Sequence, residues 1–142
     1  MGKKQNQSFL VSYIKLDKAC SDMFGMKTGG VSEYINKLGS ERDIPEREET
    51  MSRLVRYRGI RNKLAHEVGA LEKLSEVKNY DIAWVEKFEK AVLRRRDPIS
   101  QYQKSLRKNT TAYKVRRGFI TAGIILLVLA IAAAVIYFGF IK

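Results

Sequence analysis

The sequence predicts an all-α protein: a small antiparallel helical bundle of four or five helices over residues 1–97, a basic juxtamembrane connector over 98–117, and a C-terminal transmembrane helix over 118–141. Three observations lead there. Apolar residues recur at helical spacing along the first two-thirds of the chain, with no alternating run that would make a strand. The first two helical stretches stop at Gly25 and Gly39, the residue type that best closes a helix. Finally, Gly118 to Ile141 is a run of 24 residues without a charge, roughly 36 Å as a helix and long enough to cross a bilayer.

In chain order, Leu10, Tyr13, Ile14, Cys20, Met23 and Phe24 share helical spacing, so residues 8–24 read as a first helix ended by Gly25. Ser32 opens a short second one, with Val31, Ile35 and Leu38 on one face and Gly39 as its stop. Pro45 stands at a favoured first-turn position, followed by Glu46, Glu48 and Glu49, which suit the positive end of a helix dipole. A long third helix therefore runs from there through Leu64. After Gly69 the pattern resumes with Leu71, Leu74 and Val77, breaks near Asn79, and continues with Ile82, Val85, Phe88 and Val92 as far as Pro98. There are no internal repeats, and Gly29-Gly30 lacks the Lys a phosphate loop needs.

The apolar run predicts localisation as well. A bundle this small has little interior to hide a helix that is apolar on every side. Tyr113, Lys114, Arg116 and Arg117 stand before it as interface anchors, with Tyr137, Phe138 and Phe140 near its far end. The basic excess on the N-terminal side predicts a single-pass, tail-anchored membrane protein whose residues 1–117 stay in the cytoplasm. The N-terminus lacks the continuous apolar stretch of a signal peptide, and Asn6 stands where a myristoylation signal has Ser or Thr.

The chain carries 27 Lys and Arg against 15 Asp and Glu, a net charge of +12. Between residues 94 and 117, Arg94, Arg95, Arg96, Lys104, Arg107, Lys108, Lys114, Arg116 and Arg117 oppose Asp97 alone, a local net charge of +8. This run fits anionic membrane lipids, each cation near such a leaflet contributing about 1 kcal/mol. It has no evident aromatic platform for RNA bases. One Cys and one His exclude a disulfide framework and a Cys- or His-built metal centre. No metal and no cofactor are expected, and Cys20 reads as core.

A second basic stretch, Met51 to His66, holds Arg53, Arg56, Arg58, Arg61 and Lys63 with no acid, and ends on the only His. On a regular helix Tyr57, Ile60, Leu64, Val68 and Leu71 gather within roughly 80°, a core face that leaves His66 almost opposite. Arg58, Asn62 and His66, at i, i+4 and i+8, line one polar stripe. Arg61 stands about 140° from His66 on an ideal helix. The two can serve one site if the helix ends or bends nearby, if the arginine reaches round, or if two subunits share the site.

These residue types suit phosphodiester chemistry. An imidazole can take a proton from a ribose 2′-hydroxyl or give one to the leaving oxygen, a guanidinium can neutralise charge on the phosphate, and Asn62 can orient either group. Arg58 and Lys63 would add RNA-binding charge. One His per chain cannot supply both proton transfers, whereas two subunits can.

Arg61-Asn62-Lys63-Leu64-Ala65-His66 resembles the motif of the HEPN superfamily (higher eukaryotes and prokaryotes nucleotide-binding domains), an Arg followed by a polar residue and, four to six residues after the Arg, a His. The resemblance implies an all-helical fold and Arg61, Asn62 and His66 as catalytic residues. It further implies a metal-independent endoribonuclease whose homodimer brings two motif copies to one cleft, a toxin or antiviral defence effector with RNA as substrate and a regulatory or neutralising protein partner. The toxin subgroup with Tyr two residues after the His has Val68 here instead. The alternative expectation is a non-catalytic membrane-anchored adaptor or sensor that binds a protein, RNA or nucleotide through the helical domain.

Overall fold

A computed structural model describes residues 2–74 and 76–108. Among them the chain forms α1 (Gly2–Phe24), α2 (Gly30–Ser40), α3 (Arg47–His66), a single turn α4 (Ala70–Lys73) and α5 (Asn79–Leu93), with no strand. Residues 98–108, here α6, are also helical. The all-α class is therefore observed. The chain divides into two compact units, Met1–Gln103 and Lys104–Lys142. No helix among the described residues is long and apolar enough to cross a membrane. The apolar run 118–141 and its anchors Tyr113, Lys114, Arg116 and Arg117 lie outside the described residues.

Helix α1 is the axis of the first unit and packs against α2, α3, α4 and α5. It begins well before residue 8, where apolar periodicity starts. The residues of that extra length are polar, so no apolar pattern announces them, and their support is tertiary. Asn6 is buried, its amide donating to the carbonyls of Leu71 and Leu74 at 2.9 Å each. Gln5 donates to Asn79 at 2.9 Å. The Asn6 bonds satisfy backbone acceptors that the loop around α4 would otherwise bury unpaired.

The core is built from Phe9, Leu16, Cys20, Val31, Tyr34, Leu38, Leu54, Tyr57 and Val85, all at 1% exposure or less. Its aromatic members form a chain: Phe9 meets Tyr57 edge-on at 5.7 Å, Tyr57 meets Trp84 at 5.4 Å, Trp84 stacks on Phe88 at 4.8 Å, and Phe88 meets Tyr34 at 5.3 Å. Such offset and edge-on pairs add to the apolar area they bury. Burial pushes the Cys20 thiol well above its ordinary range, so Cys20 is a core residue and no nucleophile.

The buried Tyr34 hydroxyl needs a partner and finds one in Asp97, itself excluded from solvent. Tyr34 donates to Asp97 Oδ1 at 2.7 Å, and the same oxygen caps α6 by accepting the Ser100 amide at 3.1 Å. Pro98, Ile99 and Ser100 are buried, so the first unit extends beyond Asp97. The only acid in the basic run is thus spent inside the fold.

Helix α3 departs from expectation at both ends. Pro45 precedes the N-cap, Glu46, which takes a left-handed φ of 54°, because Ile44 is buried and the chain must turn sharply out of the core. Glu48 and Glu49 occupy the first turn. At the other end α3 stops at His66, where the extended Glu67 caps it by donating to the Lys63 carbonyl at 2.9 Å. Tyr57, Ile60 and Leu64 are buried as the helical face requires, but Val68 lies past the end and is fully exposed.

The Asp81 side chain, also excluded from solvent, joins α3 to α5. It accepts from Arg56 at 2.7 Å, from the Tyr57 hydroxyl at 3.0 Å and from the Lys78 amide at the start of α5 at 2.9 Å. Burial pushes its pKa up, but the bonds from Arg56, Lys78 and Tyr57 outweigh that and hold it below the ordinary carboxylate value. The Tyr57 hydroxyl is pushed up to about 12, by burial first and Asp81 second. Arg56 is half exposed and can return to water, so most of the cost of losing Asp81 falls on Tyr57 and the helix cap. Asp81→Ala should cost about 2–3 kcal/mol at pH 7 by urea unfolding. Because the folded pKa is lowered, the Asp81 contribution is complete above the unfolded value near 3.9 and fades as pH falls below it. The gap between wild type and Asp81→Ala should therefore narrow between about pH 4 and pH 2; a constant gap contradicts the assignment.

Candidate functional site

The stretch Met51 to His66 forms the central and last turns of α3, and its side chains part company. Arg53 lies over Trp84 at 5.4 Å and pairs with Glu49 at 2.9 Å. Arg56 goes to Asp81, and Lys63 pairs with Glu76 at 3.0 Å across the loop. Arg58 and Arg61 turn the other way, into a cleft of about 420 Å³ lined by Tyr13, Asp17, Thr28, Ser32 and Asn62 among others. The Arg58 guanidinium donates to Ser32 at 3.4 Å and that of Arg61 to the Asn62 side-chain oxygen at 3.3 Å.

Three helices build this cleft. From α1, Asp17 caps the start of α2 by accepting the amides of Gly29 at 3.2 Å and Val31 at 2.9 Å. That carboxylate occupies the α2 N-terminus, leaving the arginines as the positive groups of the cleft. Burial holds the Tyr13 hydroxyl above its ordinary pKa, Asp17 pushes it further up, and Arg61 and Arg58 partly oppose this. Tyr13 is thus a neutral hydrogen-bond donor beside two guanidiniums, an arrangement suited to gripping a phosphate from several sides. Tyr13, Asp17 and Ser32 are the members that motif spacing did not reveal. They come from positions 26 to 48 residues before Arg58 and Arg61 in the sequence, and only packing brings them to α3.

His66 stands exposed on the last turn of α3, outside the lining of the cleft. Since α3 runs unbroken from Asn62 to His66, the two neighbour each other along one stripe, a turn apart. One chain thus brings together Arg58, Arg61 and Asn62, carries His66 just past the rim, and diverts Lys63 to Glu76. Among the described residues no group of three or more His, Cys, Asp or Glu gathers that could hold a metal ion.

A family model matches residues 7–119, which include nearly all of the bundle and the whole of the basic connector; its description is a family of unknown function, DUF6548. The chain belongs to DUF6548. No curated protein and no solved structure matches it. The DUF6548 match spans every residue that lines the Arg58–Arg61 cleft as well as His66.

Proposed function

We propose that this DUF6548 chain is a membrane-tethered, metal-independent endoribonuclease of HEPN type, a toxin or antiviral defence effector acting as a homodimer. The observation that carries the reading is the convergence of Arg58, Arg61 and Asn62 on one cleft with His66 one turn further along the same helix. A neutral imidazole would take the 2′-hydroxyl proton as that oxygen bonds to phosphorus. The bond to the 5′-oxygen then breaks and a second imidazole, protonated and from the partner subunit, gives the leaving oxygen its proton. The arginines hold the phosphate and offset the charge that gathers on it. The products are a 2′,3′-cyclic phosphate and a 5′-hydroxyl.

The test is incubation of the full chain with cellular RNA in EDTA, with product ends analysed. Cleavage leaving cyclic phosphate supports the reading; intact RNA beside a folded dimer sinks it. The position of His66 outside the cleft favours the second reading, a non-catalytic adaptor, which would bind RNA or another partner without cutting it. The cleft also orders two substitutions. Arg58→Ala should weaken RNA binding and lower the slope of log affinity against log salt by about 1. Lys63→Ala, already neutralised by Glu76, should change both less.

A further inference from the structure

The C-terminal end of α5 carries a second basic site. Its last turn closes in a Schellman arrangement: the Arg96 amide donates to the Ala91 carbonyl at 2.8 Å and the Arg95 amide to that of Val92 at 3.0 Å. Arg95 holds the left-handed position of that motif, φ 53°, where glycine is the comfortable residue. The second of three consecutive arginines thus stands where backbone conformation alone favours another residue.

Upstream, Lys87, Lys90 and Arg94 stand at i, i+3 and i+7, one stripe of α5. With Arg96 they line a shallow depression of about 360 Å³ whose other members are Ala83, Glu86 and Ala91. Glu86 is engaged by the Ser12 hydroxyl at 3.2 Å. None of Lys87, Lys90, Arg94 and Arg96 has an ion-pair partner among the described residues. Beside them Leu93 is 61% exposed, an apolar side chain on a cationic rim.

We propose that this depression seats the phosphate headgroup of an anionic phospholipid while Leu93 enters the acyl boundary. A cationic rim with an isolated exposed leucine is the chemistry of an interfacial contact. The depression offers two alanines and no aromatic face, so it lacks the platform on which RNA bases stack. Each cation near an anionic surface strengthens binding roughly five-fold. The inference rests on the membrane part of the proposed function and is independent of catalysis.

The experiment uses the full chain with Leu93→Cys carrying a nitroxide; buried Cys20 is out of reach of the label. The protein is mixed with phosphatidylcholine vesicles, with or without phosphatidylserine, floated, and probed with an aqueous nickel chelate. Several-fold lower nickel accessibility with phosphatidylserine, reversed by salt and by the triple substitution Lys90→Glu, Arg94→Glu, Arg96→Glu, supports the site. Helicity of the triple variant is checked by circular dichroism, and a second arm with Arg94→Gln and Arg96→Gln should give a partial loss. Flotation with both vesicles and an equally exposed label overturns the headgroup site while leaving the tether. No flotation with either vesicle overturns both. Shielding by added RNA alone assigns the face to RNA instead.

Discussion

Full-length His66→Ala is expected to lose RNA cleavage in EDTA by about 10²–10⁴-fold, the range that one positioned acid or base contributes. Arg61→Ala should lose about 10²–10³-fold, the usual cost of removing a group aimed at transition-state charge. Both variants should keep wild-type stability, because His66 is exposed and the Arg61 guanidinium donates to its helix neighbour Asn62. The proposed mechanism has the two cooperate across a dimer. Helix α3 stays regular up to His66, and the Arg61 guanidinium enters the cleft beside Tyr13, so a bend and a reach-round within one chain are not used. Under the proposed function they would meet in a site shared between subunits. Mixing equal amounts of wild-type and His66→Ala chains should then lower activity per wild-type chain by about half, since half of the wild-type chains pair with a subunit that lacks the second imidazole. Activity per wild-type chain that does not fall would place the whole site within one subunit.

Gly30→Ala is the substitution expected to damage the fold most. A Cβ there would overlap the Ser21 amide nitrogen and lie 2.6 Å from the Cys20 carbonyl carbon and 2.5 Å from the Asp17 carbonyl oxygen. These are backbone atoms of α1, which cannot turn aside as a side chain can. The first turn of α2 must back away, straining the caps that Asp17 provides and the Gly30 amide bond to Ser21 at 3.0 Å. Overpacking of this kind costs about 3 kcal/mol, or a fall in Tm of about 15 °C for a domain of this size. Ser32 would move with that turn, so the cleft around Arg58 should loosen and RNA binding fall together with stability. Gly59→Ala is the matched control. A Cβ on Gly59 meets nothing within 4 Å, and alanine stabilises the interior of an exposed helix by about 1 kcal/mol. That variant lies between Arg58 and Arg61, yet it should melt higher with activity unchanged. Equal behaviour of the two glycines in calorimetry would contradict the close approach of α1 and α2.

The helices with apolar periodicity were legible because an amphipathic stripe is local. Tyr57, Ile60 and Leu64 share a face by spacing alone, and that same spacing turned Asn62 and His66 outward. The first turns of α1 were not legible, because a polar stretch becomes helical only when Asn6 finds the Leu71 and Leu74 carbonyls. Val68 was misplaced for the converse reason: periodicity continues on paper, whereas the extended Glu67 ends the helix just before it.

The candidate site divides along the same line. The order Arg58, Arg61, Asn62, His66 on one helix is a property of the sequence, as is the concentration of positive charge before an uncharged run of 24 residues. Which of five neighbouring cations face a common cleft is not, because each position round α3 meets a different neighbour. Arg56 is drawn to Asp81, Arg53 to Trp84 and Lys63 to Glu76, while Arg58 and Arg61 are left to the cleft with Tyr13 and Asp17. Helical pattern is written residue by residue in the sequence; the pairing of side chains from distant segments exists only once α1, α2 and α5 have closed around α3.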